Sequence, residues 1–122
     1  MESITIRIAI VEDEPLWQQG IQTLLGLDKS LVVVTVCGTA HEALDKLQED
    51  VADVVLMDYQ LGGAITGIDV AKSLMERGYT AKQIILITGS PSEQLPANDY
   101  GYVCKPQIAS QLISTIQAVY SS

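Results

Sequence analysis

Five short runs rich in Val and Ile recur along the 122-residue chain, and helical patterns lie between them. The runs are Ile4–Val11, Leu31–Val36, Val54–Met57, Ile84–Ile87 and Tyr102–Cys104. They carry little polar alternation, which suits strands buried on both faces of a parallel sheet. Leu16, Trp17, Ile21, Leu24 and Leu25 form an apolar stripe behind Pro15, a proline suited to a first helical turn. Thr39 with Glu42 makes a capping-box pair for a second helix; Thr66 and Asp69 open a third, which stops at Gly78. Pro106 starts a last helix along Ile108, Leu112, Ile113, Ile116 and Val119. Between Thr88 and Tyr102, Pro91, Pro96 and weak apolar periodicity leave room for one or two helical turns at most. The resulting order, β-α-β-α-β-α-β-x-β-α, implies an α/β domain over residues 1–122 with a parallel sheet between helical layers.

Composition narrows the function. Fifteen Asp and Glu against seven Lys and Arg leave a net charge of −8. That argues against nucleic acid or an anionic membrane as partner, since both need a cationic surface. A hydrophobic share of 48% with 18% charged residues excludes intrinsic disorder. Neither a signal peptide nor a membrane-length apolar run is present, so a cytoplasmic location is expected. Cys37 and Cys104 are too few for a disulfide framework and read as buried thiols. On opposite edges of a sheet ordered 2-1-3-4-5 they lie too far apart to bridge.

Ligands of open parallel sheets bind outside the carboxyl ends of the strands, where strand order reverses. Right-handed crossovers in the order 2-1-3-4-5 set the first and third strands side by side. Glu12 and Asp13, after the first strand, then face Asp58, after the third. Thr88 ends the fourth strand and Lys105 follows the fifth. Carboxylates converging on a small site need a cation or a proton, and Mg²⁺ suits hard oxygen ligands beside a phosphate. Lys105 and Thr88 suit phosphoryl oxygens. A carboxylate flanked in this way can act as nucleophile on a phosphoryl group and yield an aspartyl phosphate. Taken singly, each residue has a plainer reading: Asp58 as a turn residue, Glu12, Asp13 and Glu14 as helix-start acids, Thr88 and Tyr102 as strand packing. Their co-occurrence favours a site for Asp58, Asp13, Thr88 and Lys105, while Glu14 stays a helix-start acid and His41 a solvated histidine.

The segments IAIVEDEP, VVLMDYQ, IILITGS and YVCKP resemble, in order, the strand-end motifs of two-component response-regulator receiver domains, the CheY-like family. The resemblance covers essentially the whole chain and implies a doubly wound, flavodoxin-like five-stranded sheet in the order 2-1-3-4-5. It implies Asp58 as phosphoacceptor, Glu12 and Asp13 as the acidic pair, and the backbone carbonyl of Gln60 as a further Mg²⁺ ligand with Asp58. Thr88 becomes the switch hydroxyl, Tyr102 the switch aromatic and Lys105 the phosphate-pairing lysine. The Lys105–Pro106 bond is commonly cis in this family. Two departures stand out. Gly62 replaces a frequent proline in a slightly longer loop after Asp58, which implies a looser gate. The span from Thr88 to Lys105 is several residues short, which implies a short or irregular fourth-helix region.

The expected function is therefore a Mg²⁺-dependent phosphoacceptor in a two-component or phosphorelay system, not an enzyme beyond its own phosphorylation and dephosphorylation. A histidine kinase or phosphotransfer protein donates, and a downstream protein target or fused output domain reads the change. The segment from Pro106 to Ser122 holds no charged residue, compatible with a protein interface and with a homodimer. No output domain follows residue 122, so the expectation is a stand-alone receiver or a fragment of a larger regulator or hybrid kinase. The alternatives are a docking module whose switch is lost and a Mg²⁺-dependent phosphatase. The phosphatase needs a general acid two positions after the nucleophile, where Gln60 stands.

Overall fold

All five apolar runs become strands of one parallel sheet in the computed structural model, which describes residues 5–49, 51–62, 65–89 and 99–121. The strands are β1 (Ile6–Val11), β2 (Leu31–Cys37), β3 (Val54–Asp58), β4 (Ile84–Thr88) and β5 (Gly101–Cys104). Their order is β2-β1-β3-β4-β5, as the crossover argument requires. Every residue of β3 and β4 is buried, which explains why these two strands lack polar alternation.

Helices α1 (Pro15–Leu25), α2 (Ala40–Glu49), α3 (Gly67–Glu76) and α4 (Ile108–Ser121) cover the two faces. Successive strand residues point to opposite sides, so the sheet divides its apolar residues between two cores. Ile8, Ile10, Leu56 and Ile85 pack with Ile21 and Leu25 of α1 and Leu112 and Ile116 of α4. Val11, Val55, Met57 and Leu86 pack with Leu47 of α2 and Val70 and Leu74 of α3. Each large side chain removed from water in this way contributes roughly 1.5–3 kcal/mol. No described helix is long and apolar enough to cross a membrane.

Local signals mostly act where they stand. Thr66 and Asp69 form both bonds of a capping box at the start of α3, and Gly78 takes the left-handed conformation (φ 113°) just beyond its end. At α2 the Glu42 amide donates to Thr39 Oγ1, but the Glu42 carboxylate accepts from the Gly38 amide, one residue before the expected one.

Three readings need correction. Leu16 is 82% exposed; it lies about 140° around the helix from Ile21 and so falls off the stripe that Trp17, Ile21 and Leu25 share. Cys104 is half-buried, because the terminal residue of edge strand β5 has only one covered flank; Cys37 is buried and neither forms a disulfide. No cis peptide occurs among the described residues. Pro106 instead sits within a 3₁₀ turn, Lys105–Gln107, that leads into α4. Ile4 and the short fourth-helix region between residues 90 and 98 lie outside the described residues.

Gly67 ties the fold to the site. Its amide donates to Tyr59 O (2.9 Å), and a Cβ there would fall well inside contact with the Asp58 carbonyl oxygen. Only glycine lets α3 start this close to the end of β3. Gly67→Ala is expected to cost about 1–3 kcal/mol, as overpacking does, and to shift the amide resonances of residues 58–60. Chemical denaturation and amide spectra check this; wild-type stability would contradict the close approach.

Candidate functional site

The register of the sheet builds the site. Val11 pairs with Met57 across β1 and β3, so the residues that follow, Glu12 and Asp58, emerge side by side. Asp13 joins them, and the three carboxylates offer oxygens within 4.8 Å of one another. Glu12 (2% exposed) and Asp58 (4%) are buried, whereas Asp13 is exposed at the rim. Asp13 and Asp58, together with Gln60, Gly62, Thr66, Gly89 and Lys105, line a cleft of about 510 Å³, with Glu12 buried behind them; the three acids are the only acidic cluster of this kind among the described residues.

Hydrogen bonds fix the backbone of Glu12 and the carboxylates of Asp58 and Asp13. The Glu12 amide donates to Cys37 O (2.9 Å), and Gln18 Nε2 of α1 donates to Glu12 O (2.6 Å). Asp58 Oδ1 accepts from the Gln60 amide (3.2 Å), and the Tyr59 amide donates to Ile87 O of β4 (2.9 Å). Asp13 Oδ2 accepts from the Gly62 amide (3.1 Å). Proline has no N–H to offer, so Gly62 supplies a bond to Asp13 that the family's frequent proline would lack. Residues 63 and 64 of the same loop lie outside the described residues.

Lys105 crosses from the end of β5 to the acids. Its ammonium lies 3.3 Å from Glu12 Oε1 and 3.6 Å from Asp58 Oδ2. One cation does not balance two buried carboxylates. Burial and the adjacent Asp58 push the Glu12 carboxyl up to about 8, against a smaller opposing pull from Lys105. A divalent cation would supply the missing charge, and the all-oxygen donor set of Glu12, Asp13 and Asp58 fits Mg²⁺.

The other candidates fall into place unevenly. Thr88 is buried at the end of β4, and its hydroxyl donates to Cys104 Sγ (3.4 Å) on β5. Tyr102 is half-buried and packs on the core under α2 and α3. Burial raises its phenol, helped by Tyr100. Gln60 lines the cleft and Glu14 stands at the N-terminal cap of α1 without a side-chain capping bond. His41 is solvated on the first turn of α2, 3.3 Å from Asp45 one helical turn on, and does not line the cleft. Two neighbours escaped the sequence reading: Gln18, and Trp17, whose ring lies 4.7 Å from Lys105 Nζ. Helical periodicity sorts residues by face and gave no sign that the first turn of α1 reaches over a site.

Comparison with known proteins agrees with this geometry. The family model described as "Response regulator receiver domain" matches residues 8–117. The nitrate/nitrite response regulator protein NarP of Escherichia coli is 31% identical over 121 residues, which are 96% of this chain and 56% of that protein. The sensory transduction protein RegX3 of Mycolicibacterium smegmatis is 36% identical over 119 residues, 92% of this chain and 49% of its own. The chain thus spans about half the length of the curated relatives it matches. The response regulator domain of Thermotoga maritima CheB shares the fold, with a TM-score of 0.83 at 21% identity over 97% of this chain and 98% of that one.

The raised Glu12 carboxyl has a measurable sign. Between its ordinary 4.5 and about 8 the folded state binds more protons than the unfolded one. Metal-free stability is therefore full below the lower value and declines as pH rises toward the upper one. Mg²⁺ is expected to flatten that decline and, near pH 7, to release about one proton on binding. Thermal melts with chelator or Mg²⁺, and calorimetry in buffers of different ionisation enthalpy, check both; Glu12→Gln should abolish the slope. A slope of opposite sign would contradict the assignment.

Proposed function

Because the chain belongs to the response-regulator receiver family, we propose that Asp58 accepts a phosphoryl group from a histidine kinase or phosphotransfer protein. The convergence of Asp58, Asp13 and Glu12 with Lys105 at the carboxyl end of the sheet carries this reading. Asp58 is the one acid of the three that is both buried and in reach of the lysine while lining the open cleft. Its carboxylate oxygen attacks phosphorus, forming an O–P bond as the donor's bond to phosphorus breaks with its electron pair. The Gln60 amide and Lys105 orient and stabilise the reacting groups, which is most of the work in phosphoryl transfer. Mg²⁺, held by Asp13, Asp58, Glu12 and the Gln60 carbonyl, would neutralise charge on the transferred group.

Thr88 and Tyr102 form the switch in this reading. Thr88 gives up a weak sulfur acceptor for a phosphoryl oxygen, a trade that favours the charged partner. The added charge of about −1.5 to −2 shifts a conformational equilibrium that a downstream protein or a joined output domain reads. Gln60 in place of an acid argues against turnover of external phosphate esters, so the chemistry is the domain's own phosphorylation and dephosphorylation.

Incubation with acetyl phosphate and Mg²⁺ is expected to add one phosphoryl group by mass spectrometry. Asp58→Asn should abolish the adduct, and Lys105→Ala should slow its formation at least tenfold, as loss of an oriented charge does. An adduct that survives Asp58→Asn defeats the proposal. Amide spectra with beryllofluoride should shift at Thr88 and in β5; unchanged spectra with the mimic bound would favour a constitutive docking module instead.

A further inference from the structure

We propose that Trp17 is a positioning residue for Lys105, forming the third, uncharged side of a cage around its ammonium group. The inference rests on the reading of Asp58 as acceptor and extends it to a residue outside the family motifs quoted above. Lys105 Nζ stands 4.7 Å from the Trp17 ring centroid, 3.3 Å from Glu12 Oε1 and 3.6 Å from Asp58 Oδ2. The ammonium donates a hydrogen bond to Glu12, forms an ion pair with Asp58 and faces the indole in a cation–π contact, so all three neighbours hold it in different ways. Tryptophan presents the strongest π face for a cation.

The ring is placed independently of the lysine. Pro15 starts α1, Ile21 and Leu25 anchor it in the core, and Gln18 Nε2 binds the Glu12 carbonyl at 2.6 Å. The first turn of α1 is thus fixed to the end of β1, with Trp17 half-buried beside the cleft. By contrast the lysine stem has four rotatable carbons and, left alone, would spread into solvent.

The two carboxyl contacts change during the reaction and the aromatic one does not. When a cation draws on Glu12 and Asp58, or a phosphoryl group joins Asp58, the carboxylates hold Lys105 less. The indole is neutral and keeps the ammonium within reach of the transferred group.

The test compares Trp17→Leu and Trp17→Phe for the rate of adduct formation with acetyl phosphate at saturating Mg²⁺, with thermal melts as a check on folding. Trp17→Leu is expected to be about three- to tenfold slower, while Trp17→Phe, which keeps a π face, recovers most of the rate. In a Lys105→Ala background Trp17→Leu should cause no further loss. Equal rates for Trp17→Leu and wild type, or full additivity with Lys105→Ala, overturn the proposal.

Trp17 is the sole tryptophan, so its emission reports the contact without any phosphodonor. Lys105→Met should alter that emission; an unchanged spectrum overturns the cage. A wild-type protein that forms no adduct yet changes emission on Lys105→Met would defeat the acceptor reading and leave the contact standing.

Discussion

The structure turns on a conflict of charge at the end of an apolar sheet. Ile8–Val11 of β1 and Val54–Met57 of β3 are buried, and their register then brings out Glu12 and Asp58 together. Were both ionised, two like charges within 4.8 Å of each other would repel by at least about 3.5 kcal/mol at an effective dielectric near 20, and Glu12 accordingly holds its proton up to about 8. Compensation arrives from Lys105, which follows β5, two strands beyond β3 in the sheet. The whole strand order is therefore needed before the acids have a counter-charge. A sheet assembled in another order would leave a buried, unpaired acid pair at its edge, which links folding specificity to the chemistry of the site.

Two glycines shape the backbone around that conflict in opposite ways. Gly67 is required by what it lacks: a side chain there would collide with the Asp58 carbonyl. Gly62 contributes what proline would lack, an amide hydrogen for Asp13. The first brings α3 against the end of β3, and the second ties the loop to the β1 end. Asp58 and Asp13 are thus held by loops whose geometry the surrounding backbone sets, the kind of preorganisation that the proposed phosphoryl transfer would need.

Much of this was legible in the sequence because burial on both faces leaves an unmistakable mark. Ile84 to Ile87 has no polar residue to place outward, and Thr66 with Asp69 states where α3 begins. Strand ends follow from strands, so Glu12, Asp13, Asp58, Thr88 and Lys105 could be named before any coordinates. What escaped were contacts set by direction within an element. Leu16 and Trp17 are neighbouring apolar residues, yet one turns to water and the other to a lysine 88 positions away. A strict angular count already sets Leu16 off the stripe, about 140° from Ile21, but no count of faces assigns Trp17 a partner on another element. Cys104 likewise reads as an apolar strand residue; that it accepts from Thr88 depends on the pairing of β4 with β5.

That pairing also shows how a local change at the site would travel. Thr88 and Cys104 stand opposite each other in the ladder, as do Leu86 and Tyr102 two residues earlier. Alternation along a strand puts Tyr102 and Cys104 on one face of β5, while Val103 points into the core under α1 and α4. Tyr102 packs on the opposite core, with α2 and α3. A group that draws the Thr88 hydroxyl away from sulfur therefore frees a contact on the same side of β5 that carries the tyrosine. The coupling spans one strand spacing and two residues, and needs no long path through the core. Edge position makes it soft: β5 has a paired neighbour on one side only, so its side chains can repack at less cost than those of β3 or β4, where every neighbour is buried.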